Sequence, residues 1–275
     1  MRFIKMHGCG NDYVYVDCIR GLRPENPSRI AVEVARPHTG IGADGLILIE
    51  PCEGADAFMR IFNKDGSEGE MCGNGIRCVG KYLYDSGIAC TEELRVQTRG
   101  GLKLLHMLVE NGVAVGARVD MGRMCFDSAS IPVASETNRI EIDCMGHRLH
   151  FFCLNAGNPH AVTFDRFPSG KEFEEMGSAL ENHPIFPEKA NISFARVLAH
   201  DTIEAHIWER GSGATQACGS GATATQVAAY ILGKTDAGAT VHLPGGELFI
   251  EYDAASTHAF MTGPACTVFT GDYPI

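Results

Sequence analysis

The sequence has no apolar stretch near the roughly 18 residues needed to cross a bilayer. Its opening residues, MRFIKMHGCGNDY, lack the apolar centre of a secretion signal. It is short of positive charge: 23 Lys and Arg stand against 34 Asp and Glu, a net charge of −11. That balance excludes the basic footprint of a general nucleic-acid or anionic-membrane binder. It holds no C-x-x-C pair, no phosphate-loop signature and no low-complexity segment. These absences lead us to expect a cytoplasmic protein with no nucleic-acid and no membrane partner.

What is present is a chain of 275 residues with 45% hydrophobic and 21% charged residues. Such a chain buries a core without staples and suits about two domains. Glycine is abundant, with 32 residues, and there are 11 cysteines, an odd number. In a long chain expected inside the cell, an odd set is a poor disulfide framework. Most of these thiols should be buried small apolar groups.

The patterning predicts many short strands and four helices, at 27–36, 73–86, 171–182 and 219–232. Ile76, Val79 and Leu83 line one face of the second, and Gly87 and Gly233 are stop signals. Asn111-Gly112 predicts a two-residue hairpin. The two halves share more than order. MCGNG at 71–75 and ACGSG at 217–221 each follow a strand and a turn-rich loop and open a helix. Asn63 and Glu209 each stand nine positions before the motif cysteine. We read an internal duplication of roughly 120 residues or more.

A cysteine at a helix start sits where first-turn amides point outward and the helix end carries about half a positive charge. That field receives an anion and lowers a thiol pKa, bringing an acid or base toward neutral pH. One such cysteine suggests a nucleophile. Two in equivalent places suggest inversion at carbon: if the halves face each other, one sulfur removes a proton from one face and the other returns one to the opposite face. The helix starts would stabilise the substrate carboxylate as it gains enolate-like charge, with no organic cofactor and no metal.

The segments KMHGCGNDYVYVD (5–17), GIGADG (40–45), FNKDGSEGEMCGNGIRC (62–78), GNPHAV (157–162), ERGSGATQACGSGATA (209–224), LPGG (243–246) and MTGPA (261–265) make the chain resemble the diaminopimelate epimerase family over essentially its whole length. The resemblance implies an α+β fold of two pseudo-symmetric domains, each an antiparallel β-sheet curled around a central helix. The domains would be 1–118, completed by 263–275, and 119–262. It implies conversion of LL- to meso-diaminopimelate without pyridoxal phosphate, for lysine and peptidoglycan synthesis, by a protein that is often a homodimer. It implies Cys72 and Cys218 as the acid–base pair, Cys218 accepting and Cys72 donating for the LL substrate. His160 and Glu209 would tune the thiols and meet the substrate ammonium. Asn74 and the amides of Gly73, Gly219 and Ser220 would hold the reacting carboxylate. Asn11, Asn63, Asn158, Asn191 and Arg210 would bind the rest of the substrate. One departure is Gly45, where some family members carry a glutamine that contributes to the site.

Other readings are weaker. Gly40-Ile-Gly-Ala-Asp-Gly45 is a literal G-x-G-x-x-G, but a strand-like LILIE follows it instead of a helix. Cys144, His147, His150 and Cys153 tempt a zinc reading that a hairpin there would scatter over two strands and two faces. Cys78 reads as packing, His7 as a loop residue and Trp208 as core. A different amino-acid racemase on the same fold, acting for example on histidine, would use the same cysteines with another distal pocket. A thiol redox or metal-binding protein, or a single-cysteine hydrolase, would not need both.

Overall fold

The structure is a computed structural model that describes residues 1–274. The chain forms β1 (Arg2–Gly8), β2 (Asn11–Asp17), α1 (Pro27–Ala35), β3 (Gly45–Glu50), β4 (Ala57–Asn63), β5 (Glu68–Gly69), α2 (Gly73–Asp85), β6 (Glu93–Thr98), β7 (Gly101–Glu110) and β8 (Val113–Arg123). It continues with β9 (Arg139–Cys144), β10 (His147–Asn155), β11 (Pro159–Thr163), α3 (Gly170–Glu181), β12 (Asn191–Ala199), β13 (Thr202–Glu209), β14 (Gly213–Ala214), α4 (Gly219–Ile231), β15 (Gly238–Leu243), β16 (Gly246–Asp253), β17 (His258–Pro264) and β18 (Cys266–Asp272). Two compact units result, Met1–Asp120 with Thr262–Ile275, and Met121–Met261. Among the described residues no helix is long and apolar enough to cross a membrane.

In the first unit the sheet runs β18–β1–β2–β3–β4–β6–β7–β8. β3 reads GLILIE, is buried along nearly its whole length and is covered on both faces, as a continuous apolar run requires. Leu46 and Leu48 pack with Val14, Val16, Ile30 and Val34 on the α1 side. Ile47 lies on the other side, against the start of α2. Ten of the thirteen α2 residues, Arg77 among them, are buried, so this helix is the unit's inner element. Its end closes as expected: Gly87 takes φ 67°, its amide bonds to Tyr84 O, and the Ile88 amide reaches Leu83 O.

The second unit repeats the plan, with the sheet β9–β10–β11–β12–β13–β15–β16. Ile192 and Phe194 pack against Met176 and Leu180 of α3, and α4 is buried on all sides. Gly233 and the Lys234 amide close α4 in the same geometry as α2. The correspondence extends to pairing type. β2–β3 and β11–β12 are parallel, β3–β4 and β12–β13 antiparallel, and β4–β6 and β13–β15 parallel again. The two-residue strands β5 and β14 fold back on β4 and β13 just before each inner helix. Duplication accounts for all of this at once. Most pairs are antiparallel, and two junctions in each unit are parallel.

The two-residue hairpins at Asn111-Gly112 and Met145-Gly146 form with left-handed backbone, at φ 52° and 79° and at 50° and 80°. β11 was hidden in the sequence because it opens on a proline after Gly157-Asn158, a turn signal, yet all five of its residues are buried. Cys144 and Cys153 lie in the apolar core of the second unit, whereas His150 faces outward and bonds Asp165.

Candidate active site

In each unit the motif cysteine is the N-cap of the inner helix. Cys72 and Cys218 are extended, and each sulfur accepts the amide of the second glycine of its motif, Gly75 at 3.3 Å and Gly221 at 3.4 Å. The first helical bonds are Ile76 N–H to Cys72 O and Ala222 N–H to Cys218 O. The amides of 73–75 and 219–221 therefore point out of the helix ends. The second glycine has a packing reason as well. A Cβ at 75 would come within 2.7 Å of Ile47 Cδ1, and one at 221 within 2.7 Å of Ile207 Cδ1. These glycines let the helix start press onto the strand beneath it.

In the first unit the Cys72 sulfur donates to Asn11 Oδ1 at 3.3 Å, and Asn74 Nδ2 reaches the same oxygen at 3.4 Å. Asn11 Nδ2 donates to Asp44 Oδ2 at 2.8 Å. Arg77, wholly buried, donates to Asn74 Oδ1 at 3.0 Å and to Gly73 O at 3.1 Å. Asn11, Cys72, Gly73 and Asn74 are thus brought together. Asn63 instead donates to Ser67 in the turn after β4. Gly45 pairs with Asn63, and a Cβ there would overlap the Phe62 carbonyl oxygen. A glutamine does not fit this backbone.

In the second unit His160 is fully buried and pairs with Asn191 across β11–β12. Its Nε2 lies 2.7 Å from Asn158 Oδ1, and an amide oxygen only accepts, so Nε2 carries the hydrogen. Nδ1 is then an acceptor, buried and without a partner among the described residues. Burial, with Arg210 nearby, pushes the His160 pKa down to about 3, so the ring is neutral. Asn191 donates to Pro159 O at 2.8 Å and accepts the Arg210 amide at 3.0 Å, which fixes the backbone that carries Arg210. Glu209 accepts from Thr215 Oγ1, and its charge lies close enough to Cys218 to act on that thiol. Ser220 Oγ is 3.6 Å from that sulfur. The Cys218 pKa lies well above the usual thiol value, first because of burial and next because of the Glu209 charge; Ser220 and the Gly221 amide oppose the rise. Here burial outweighs the lowering expected from a helix start.

Three contributors escaped the sequence reading. Asp44 sat inside a glycine-rich segment dismissed as a nucleotide motif. Arg77 is a charge set between Ile76 and the buried Cys78 and Val79, and that mismatch was its signal. Thr215 carried none. Each unit therefore holds a thiol at a helix start, outward amides for an anion, and polar side chains graded around the sulfur. That set suits proton transfer next to a carboxylate.

A family model described as diaminopimelate epimerase matches residues 3–126 and 152–268. A diaminopimelate epimerase of Acetivibrio thermocellus is 47% identical over 281 residues, covering 99% of this chain and 98% of the relative. One of Methanococcus maripaludis is 45% identical over 278 residues, covering both chains in full. Among solved structures, a probable proline racemase from Agrobacterium radiobacter superposes with a TM-score of 0.72 at 16% identity, over 100% of this chain and 93% of its own. A phenazine biosynthesis protein of the PhzF family from Bacillus anthracis gives 0.71 at 17% identity, over 100% and 99%. At such identities these two show the fold alone.

Proposed function

The chain belongs to the diaminopimelate epimerase family, and from that premise we propose that Cys72 and Cys218 are its acid–base pair. The reaction is the interconversion of LL- and meso-diaminopimelate, an isomerisation. Inversion at an α-carbon needs one proton carrier for each face. The observation that carries this reading is the matched placement of two thiols as N-caps of duplicated helices, with sulfur-to-amide bonds of 3.3 and 3.4 Å.

The roles of the other groups follow from chemistry. Amides of Gly73, Asn74, Gly219 and Ser220 point from positive helix ends and suit the substrate carboxylate, most of all as negative charge moves onto it. The neutral His160 offers Nδ1 as an acceptor, and Glu209 offers a carboxylate; both suit the substrate ammonium. An ammonium beside Glu209 offsets the negative field on Cys218 and brings that thiol down toward the range of a working base. Arg210 suits the distal carboxylate in bidentate fashion, with Asn11, Asn63, Asn158 and Asn191 around the distal centre. Asn191 acts chiefly by holding the Arg210 backbone. No cofactor has a role in this scheme. A cytoplasmic setting and a homodimer belong to the same reading; sedimentation equilibrium tests the second.

The experiment is turnover of LL-diaminopimelate in deuterated water. The inverted α-carbon should acquire solvent deuterium, and Cys72→Ser and Cys218→Ser should each abolish inversion. Full epimerisation by either variant refutes the pair. Turnover of single-centre amino acids with none of diaminopimelate would move the substrate elsewhere.

A further inference from the structure

We propose that Asp44 and Arg77 are positioning residues that lock the hydrogen-bond direction through Asn11 and Asn74, so that Cys72 is held as the proton-bearing cysteine. The inference rests on the acid–base reading of Cys72 and adds which protonation state the first unit imposes on it.

An asparagine side chain can be turned by half a rotation, exchanging donor for acceptor. In this network neither asparagine is free to turn. Arginine only donates, so the Asn74 oxygen must face Arg77 Nη2, at 3.0 Å, and its amide nitrogen must face Asn11 Oδ1, at 3.4 Å. A carboxylate only accepts, so Asn11 Nδ2 must face Asp44 Oδ2, at 2.8 Å, and Asn11 Oδ1 must face Asn74 and Cys72. A cation at one end and an anion at the other thus give the chain one polarity. Its consequence falls on the sulfur. Asn11 presents a carbonyl oxygen to Cys72 at 3.3 Å, which accepts from a thiol and repels a thiolate.

The ends are themselves anchored. The Asp44 amide donates to Asp12 O at 2.8 Å, and the Asp12 amide donates back to Asp44 Oδ2 at 3.2 Å. Lys5 ties the segment down by bonding Gly42 O and pairing with Asp12 at 2.6 Å. Arg77 is pinned by Gly73 O and Pro264 O, both at 3.1 Å. Tyr15 and Cys78, beside Cys72, are buried and shifted upward, Cys78 to about 12, so both are neutral. Asp12 and Lys64 act on Asp44 with opposite signs.

The test is peptide-resolved alkylation of the unliganded protein across pH, with Cys218 as internal control. Asp44→Asn removes the charge but keeps an oxygen, because the Asp12 amide still selects which atom faces it. Asp44→Ala removes the acceptor and leaves only the longer 3.4 Å contact from Asn74 to hold the Asn11 oxygen, so Asn11 can turn its NH2 toward the sulfur. Cys72 in Asp44→Ala should react at least about tenfold faster than in Asp44→Asn at a pH below the midpoint, a shift of about one pH unit. Cys218 should not move in either variant. Identical Cys72 profiles in the two variants refute the lock and leave only a charge effect. If Asp44→Ala does not fold, Asn11→Leu, which deletes the facing oxygen, should shift Cys72 the same way, and an unchanged profile there also overturns the proposal. Failure of the acid–base reading shows separately, as epimerisation by Cys72→Ser.

Discussion

His160 makes the stability of the second unit depend on pH in a calculable way. The buried ring has its pKa pushed down to about 3 by desolvation and Arg210, against 6.5 in the unfolded chain. Between those values the unfolded state binds one proton more than the native state, so stability must fall as pH falls. From pH 7.5 to pH 5 the unfolded imidazole becomes almost fully charged and the native one stays neutral. The loss is about 2 kcal/mol, near thirtyfold in the unfolding constant. Because pH 5 lies well above the native pKa, the figure barely changes if that pKa is a unit higher. Full burial leaves no solvent screening to discount. The assay is urea unfolding of the parent protein and His160→Gln at both pH values. Trp208, the single tryptophan, lies in the same unit and supplies the fluorescence signal. Carboxylates common to both proteins cancel in the difference. The variant should lose about 2 kcal/mol less than the parent on acidification. Equal losses would mean that His160 is charged in the native state, and its role as a neutral acceptor would fall with that result.

Other perturbations follow from the packing. Gly75→Ala or Gly221→Ala drives a methyl against Ile47 or Ile207, costing about 1–3 kcal/mol, less about 1 kcal/mol of helix propensity regained; urea midpoints should drop and kcat should fall because the capping sulfur moves with the helix start. Glu181 accepts the Trp208 indole at 2.8 Å and the Gly211 amide at 3.0 Å on different oxygens. Glu181→Gln faces one donor with an NH2, so KM should rise severalfold through the Arg210 turn while kcat holds. Burial alone would raise the Glu181 pKa, but these donors and Lys189 keep it low, so its contribution persists above the ordinary carboxylate range and is lost as pH falls below it; an acid titration of the parent and Glu181→Gln checks the sign. Lys81→Met strips Ala114 O and Asp85 of a shared buried donor at 2.5 and 2.7 Å, and should cost about 1–3 kcal/mol in urea unfolding.

The outline of the fold was legible because local signals agreed with it. GLILIE, the alternating β6 to β8, Asn111-Gly112 and the stop glycines 87 and 233 each act over a few residues. β11 was not legible, since Pro159 and its preceding turn speak locally for a loop and only burial in the sheet overrules them. The cysteines could be found from their repeat. The groups proposed to set their protonation could not, because Asp44 reaches Cys72 through Asn11, and Arg77 through Asn74. Hydrogen-bond polarity is a property of the assembled network and leaves no spacing in the sequence.

Duplication explains why two thiols occupy equivalent positions; it does not explain how they differ. Two identical thiols could share one proton, but nothing would decide which of them carries it at the start of a cycle. The side chains around the repeat break that equivalence. Pairing aligns Asn11 with Asn158 and Asn63 with Glu209. At the first sulfur the facing atom is an amide oxygen whose direction is set by charges one residue further out. At the second it is the charge of the Glu209 carboxylate, with a serine hydroxyl 3.6 Å from the sulfur. A carboxylate responds strongly to an arriving ammonium, and a locked neutral amide does not. Substrate binding should therefore change the state of Cys218 and leave Cys72 as it was. On the proposed acid–base pairing, the backbone repeat supplies the symmetry that inversion needs, and the asymmetric polar shell would decide which sulfur begins as the base.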